Sequence, residues 1–206
     1  MPNDANKIRF APNGAIFMAP APDGTAGATV LPTTIGDGGT TAPGGYQSFG
    51  YVNESGVTMT PAIDTDPVTA WQSAVPVLYN VKDASFSIKA TLSETNALTT
   101  EAFFGATWVQ QTGTPTVYRL DLSSVPTLTE LSIVVDWQDK GCNYRAVIPR
   151  TMISDRGAIT LQRTTATEYE LTFEALDFSG SLGYLLTDDP NVSSTSDSGA
   201  SGTPGT

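Results

Sequence analysis

Between Asp83 and Leu92, residues Ala84, Phe86, Ile88, Ala90 and Leu92 alternate strictly with Ser85, Ser87, Lys89 and Thr91. A period of two is the repeat of a strand with one dry face and one wet face, and a helix cannot present it. The alternation returns through Tyr118, Leu120 and Leu122, through Leu131, Ile133, Val135 and Trp137, through Tyr144, Ala146 and Ile148, and through Tyr169, Leu171, Phe173 and Ala175. Asp139-Lys140-Gly141 reads as a hairpin turn between two of these runs, and Glu54-Ser55-Gly56 as a turn between strands at 46–52 and 57–60. Further strands are predicted at 158–163 and 181–187, and Ala15–Met18 reads as a brief strand or a docking arm. Charged residues make up only 15% of the chain, and the Thr, Ser, Gly and Pro that replace them favour strands joined by turns.

A single helix is predicted, over 94–104. Ser93 suits its N-cap, Glu94 its first turn, and Gly105 the left-handed position after its end. Thr95, Asn96, Thr99 and Thr100 are poor helix formers, and a helix of about 16 Å with that content does not stand alone in water. It has to dock Leu98, Ala102 and one of the Phe103/Phe104 pair, of which Phe104 is the candidate, against a sheet. The fold class is therefore mainly β: a β-sandwich or rolled β-barrel with one flanking helix and long loops.

Two stretches resist regular structure. Residues 19–45 hold seven glycines and four prolines in 27 positions, and residues 61–76 have proline at both ends. Both are predicted as long loops within one domain spanning 1–187. Such loops are commonly functional, and the first reads either as a surface excursion or as a segment that orders only against a neighbouring subunit. Residues 188–206 are rich in Ser, Gly and Thr, carry no aromatic side chain, and are predicted to be a flexible tail.

Chemistry is thinly provided. The chain has no histidine, which removes the commonest general base and metal ligand. Cys142 is the only cysteine and reads as a small, partly buried side chain. Asp64 and Asp66 lack the spacing of a calcium loop, and Glu168, Glu170 and Glu174 share the wet face of a strand. No catalytic residue, cofactor site or metal site is assigned. The net charge of −11 argues against a nucleic acid as a bound partner, although a channel wall that repels phosphates suits DNA in transit. No apolar run reaches the ~20 residues that span a bilayer, and 1–10 has no apolar centre of a signal peptide, so membrane insertion and secretion are not expected. The aromatic residues are more informative. Two roles are open to Trp71, a plug closing its loop or an anchor at an interface, and two likewise to Trp108; Trp137 reads as core.

Several passages carry a family resemblance. GAIFMAPAPDGT at 14–25, FGYVNESGVT at 49–58, Ala70-Trp71 and Pro76-Val77, FSIKATLSETN at 86–96 followed by FFG at 103–105, and the run from Val147 to Asp177 together resemble the major tail (tail tube) protein of long-tailed, non-contractile bacteriophages, in order and in spacing. The glycine-rich 26–45 stretch and the Ser/Gly tail depart from the pattern. The resemblance implies a structural virion protein of the tail, assembled in the host cytoplasm. It implies homohexameric rings that stack into a β-lined channel around a tape-measure protein, capped by tail terminator and distal tail proteins and traversed by DNA. Under that reading Phe17, Asp64, Asp66, Trp71 and Trp108 are the candidate subunit contacts. The alternatives are a secreted carbohydrate-binding β-sandwich, which needs an aromatic platform, and a type VI secretion tube or capsid decoration protein.

Overall fold

The computed structural model describes residues 3–22, 29–125 and 128–192. Ten strands and one α-helix follow in order: β1 Asn13–Pro20, β2 Gln47–Ser48, β3 Val52–Val68, β4 Leu78–Leu92, α1 Ala97–Phe104, β5 Trp108–Gln111, β6 Val117–Leu120, β7 Leu131–Asp139, β8 Cys142–Arg156, β9 Tyr169–Ala175 and β10 Tyr184–Thr187. Eight of them form one antiparallel sheet in the order β2-β1-β7-β8-β9-β4-β3, with β10 paired to the first part of β8; β5 and β6 form a separate hairpin. The sheet rolls so that β3 approaches β1, and the Phe49 N–H donates to the Ile16 carbonyl at 3.2 Å, adding a rung to the β1–β2 ladder. The mainly β, one-helix class expected from the alternation is what forms.

The inner face collects Ile16, Ile88, Leu92, Ile133, Ile148, Leu171 and Phe173 from five strands, with Phe49 over them. The alternating residues of 86–92, 131–135 and 169–175 point there as their period requires, whereas Ala84 is carried out of the core with the end of β4. Val134 and Val147 point the other way, yet they are equally buried. Their cover is the segment 29–46, which lays Leu31, Ala42 and Tyr46 over the outside of β1, β7 and β8. This segment was expected to be a surface excursion or to order only against a neighbour; its described part is instead a lid on its own sheet. Phe17 lies under it at 2% exposure, so it is a core residue and not a subunit contact. On a strand buried on both faces, alternation no longer separates inside from outside.

The lid also encloses charge. Arg145 donates from Nε and Nη2 to both oxygens of Asp136, at 2.7 and 2.6 Å, and from Nη1 to the Thr34 carbonyl at 2.9 Å. Gly36 passes so close to the Asp136 carboxylate that a Cβ there would collide with it. Inside the lid, the Tyr46 and Ser132 hydroxyls are 2.7 Å apart.

Helix α1 starts later than predicted. Asn96, not Ser93, is the N-cap, its Oδ1 accepting from the Thr99 N–H at 2.8 Å, while the Ser93 N–H is held by the Tyr51 carbonyl. Gly105 takes the left-handed position (φ 68°, ψ 31°) as predicted. The two threonines are buried, and their hydroxyls donate to the Phe49 carbonyl (Thr99, 3.2 Å) and the Asn96 carbonyl (Thr100, 2.7 Å). Leu98 and Ala102 pack on the core as expected. The docking phenylalanine is Phe103, 7% exposed and edge-on to Tyr169, whereas Phe104 is 38% exposed and touches the fold through the Phe103 ring. One residue on a helix turns the side chain by roughly 100°, which is enough to exchange core for solvent.

Four other boundaries move. Glu54-Ser55-Gly56 is a bulge within β3, which pairs Val52 with Leu92 and Val57 with Ala90. Residues 61–68 are strand, not loop, as described below. The strand expected at 158–163 is absent; β8 itself runs on through 150–156 to pair with β9. Residues 188–192, expected to begin the flexible tail, are fixed to the sheet, and 193–206 lie outside the described residues. Asp188 accepts from the Asn143 N–H at 2.7 Å. Asp189 accepts from Arg9 at 2.7 and 3.0 Å and from the Tyr144 hydroxyl, and Tyr144 stacks on a half-buried Trp137. Lys140 and Asp139 hold the backbone of Ile8 and Phe10 from the same β7–β8 turn. A polar clasp thus ties the segments around Arg9 and Asp189 together.

Two expectations follow from these placements. Phe103→Ala should cost about 3–5 kcal/mol and Phe104→Ala about 1 kcal/mol or less, read by urea denaturation. The Arg9 guanidinium, then the Tyr144 hydroxyl, hold the Asp189 carboxyl well below the usual carboxylate range. Stability from a depressed carboxylate is fully present above its unfolded value, near 3.9, and is lost as pH falls from there through the folded value. The gap in melting temperature between wild type and Asp189→Asn should therefore be constant from pH 7 to 5 and narrow below about pH 4.

Candidate assembly surface

Beyond Thr60 the β3–β4 pair leaves the body of the sheet. Asp64 pairs with Asp83, Thr65 with Val81, Asp66 with Asn80 and Val68 with Leu78, with one extra residue on β4 where Lys82 sits. The Val77 N–H closes the end of the ladder on the Val68 carbonyl at 2.9 Å. Pro61 and Pro67 are tolerated because β3 is the last strand of the sheet, and an edge has N–H positions that need no partner. The ladder continues here without a core: every residue of 61–69 is exposed.

Many of the exposed side chains are apolar, unlike those of an arm that stays in water. Ile63, Val75, Val77, Leu78, Tyr79 and Val81 are all solvent-facing, and Trp71 in the turn is 99% exposed. Trp71 therefore plugs nothing in its own subunit. Residues 67–81 carry no charged side chain at all. Asp64 and Asp66 flank this apolar end on the same face of β3; Lys82 sits 3.6 Å from Asp64, an exposed pair of little energetic weight. Apolar surface in one contiguous, protruding element marks an interaction site. The outer edge of β3 adds a row of unpaired backbone groups, which invite another strand.

Trp108 lies elsewhere. It opens β5, donates from Nε1 to the Thr100 hydroxyl at 2.8 Å and from its backbone to Glu101 at 2.7 Å, and is 39% exposed. It braces the end of α1 and forms no platform with Trp71, which sits in the β3–β4 turn. Phe17 is buried, so of the five candidate contacts Asp64, Asp66 and Trp71 share one arm, Trp108 stands apart, and Phe17 drops out. Sequence reasoning missed the apolar residues at 75–81. The Val-Leu-Tyr-Asn-Val run was a legible strand signal, but its partner strand was hidden by two prolines and two aspartates.

Where the arm leaves the sheet, an apolar notch of about 280 Å³ opens between its base and β10. Pro61, Ile63 and Phe86 form one wall, Ile148 the floor, and Leu182 and Leu185 the other wall; none of its lining residues is charged. A larger cavity of about 510 Å³ lies at the roll closure between the β3 bulge and β7, and includes Tyr51, Glu54, Asp136 and Trp137. Among the described residues no group of three His, Cys, Asp or Glu side chains could hold a metal ion, and no helix is long and apolar enough to cross a membrane.

No curated protein matches this chain. Among solved structures it is similar to a chain of the virion of a native gene transfer agent particle, at 14% identity and a TM-score of 0.39, covering 65% of this chain and 85% of that one. The family described as phage tail tube protein matches residues 1–196, from the Arg9 clasp through the exposed arm to the far side of Asp189: the chain belongs to the phage tail tube proteins and is a structural component of a virion tail.

Proposed function

We propose that this protein assembles with copies of itself into hexameric rings that stack as the wall of a phage tail tube, through which DNA passes to the host. The observation that carries this reading is the β3–β4 arm: a paired hairpin with apolar side chains and an open edge, which no segment among the described residues covers. A free arm of this kind is a standing cost in water and a hazard for uncontrolled pairing, and assembly removes both. The two ends of the sheet differ, a 17-residue strand at one and a two-residue strand at the other, so contact between copies is heterologous and can propagate into a tube. The net charge of −11 suits a wall that phosphates do not adhere to. Tape-measure protein in the lumen, and terminator and distal tail proteins at the ends, are the partners this role requires. Assembly takes place in the host cytoplasm.

Negative-stain microscopy of the purified protein is the direct test. Rings with six-fold symmetry or tubes are expected, and a chain that stays monomeric at high concentration, with or without tape-measure protein, overturns the proposal. Trp71→Gln should leave the unfolding free energy within about 0.5 kcal/mol of wild type, because the ring touches nothing in the subunit. It should weaken self-association by at least tenfold, as loss of an interface anchor does.

A further inference from the structure

We propose that the notch at the base of the arm is the receptor for the arm tip of a neighbouring copy, with Trp71 seated between Ile63 and Phe86 on one side and Leu182 and Leu185 on the other. This rests on the self-assembly reading above and names its contact. The two surfaces match in kind. The tip is free of charge over 67–81, and the notch has no charged lining residue, in a chain with 31 Asp, Glu, Lys and Arg side chains (10 basic plus 21 acidic). They also match in scale, since about 280 Å³ admits an indole ring with room for Val75 beside it. The larger cavity does not match: Glu54 lines it, and an indole there would bury against a carboxylate.

The occupant cannot come from the same subunit. Five residue steps of paired strand separate Ile63 at the notch from Val68, about 17 Å, and the turn carries Trp71 farther out. A hydrogen-bonded hairpin does not bend back over that length. Each copy therefore offers one tip and one empty receptor at opposite ends of the same arm. That is a head-to-tail contact, which repeats without closing on two copies. Leu185 belongs to β10, which pairs with β8 directly above the Asp188–Asp189 clasp, so the receptor wall is held by the same polar groups that fix 188–192.

Disulfide trapping tests the contact in the full chain. In a Cys142→Ser background, Trp71→Cys combined with Leu185→Cys should give, on mild oxidation of assembled protein, a covalent ladder of dimers, trimers and higher species. Mixing the two single-cysteine variants should give dimers only. Trp71→Cys combined with Tyr51→Cys, which probes the larger cavity, should give no ladder. Both replaced side chains at the proposed contact are exposed, so folding is not at stake; Leu185→Glu should nonetheless raise the concentration needed for assembly by at least tenfold. Rings or tubes that form without the Trp71–Leu185 cross-link, or that trap the tip at Tyr51, overturn this contact and leave the self-assembly reading standing. A wild-type chain that never self-associates overturns both.

Discussion

Val134 and Val147 oppose each other across the β7–β8 ladder on the side of the sheet that would ordinarily face water, and both are fully buried. The lid over them sets the character of the whole molecule. At the centre the sheet is dry on both faces, with the core beneath and segment 29–46 above; in the β3–β4 arm it is dry on neither. Apolar burial of that order accounts for most of what holds a domain of this size together, and here it is concentrated in the middle strands. The arm inherits its order from the continuous β3–β4 ladder that is rooted in that centre. A subunit built this way is rigid where it stands alone and incomplete where it does not.

The lid is specified by polar groups as much as by apolar ones. Asp136 and Arg145 are taken out of water together, and such a pair adds little stability relative to an apolar substitute. What it does is fix a position: Arg145 reaches the Thr34 carbonyl, and only a residue without a side chain fits at Gly36. No buried side-chain nitrogen or oxygen among the described residues lacks a partner. The glycines and prolines of 29–45 therefore shape one conformation of the lid, where their local propensities alone indicate none.

Legibility followed locality. The alternating strands, the Asp139–Gly141 hairpin and the Gly105 stop were readable because each is written within about ten consecutive residues. Asn96 displaced Ser93 as the cap because the Ser93 backbone is claimed by Tyr51, 42 positions away, which the local pattern does not show. Phe17, the lid and the clasp at Asp189 depend on pairings across the length of the chain, and the 61–68 strand on being last in the sheet, where proline is permitted. For the candidate assembly surface, the sequence left Trp71 open between a loop plug and an interface anchor, while the notch, drawn from β3, β4, β8 and β10, has no signature in any one of them.

The bond between Arg9 and Asp189 brings near neighbours in space out of residues 180 positions apart. A short linker across that gap would let the chain be opened elsewhere and rewired as a circular permutant, with new ends in the exposed 112–116 connection between β5 and β6.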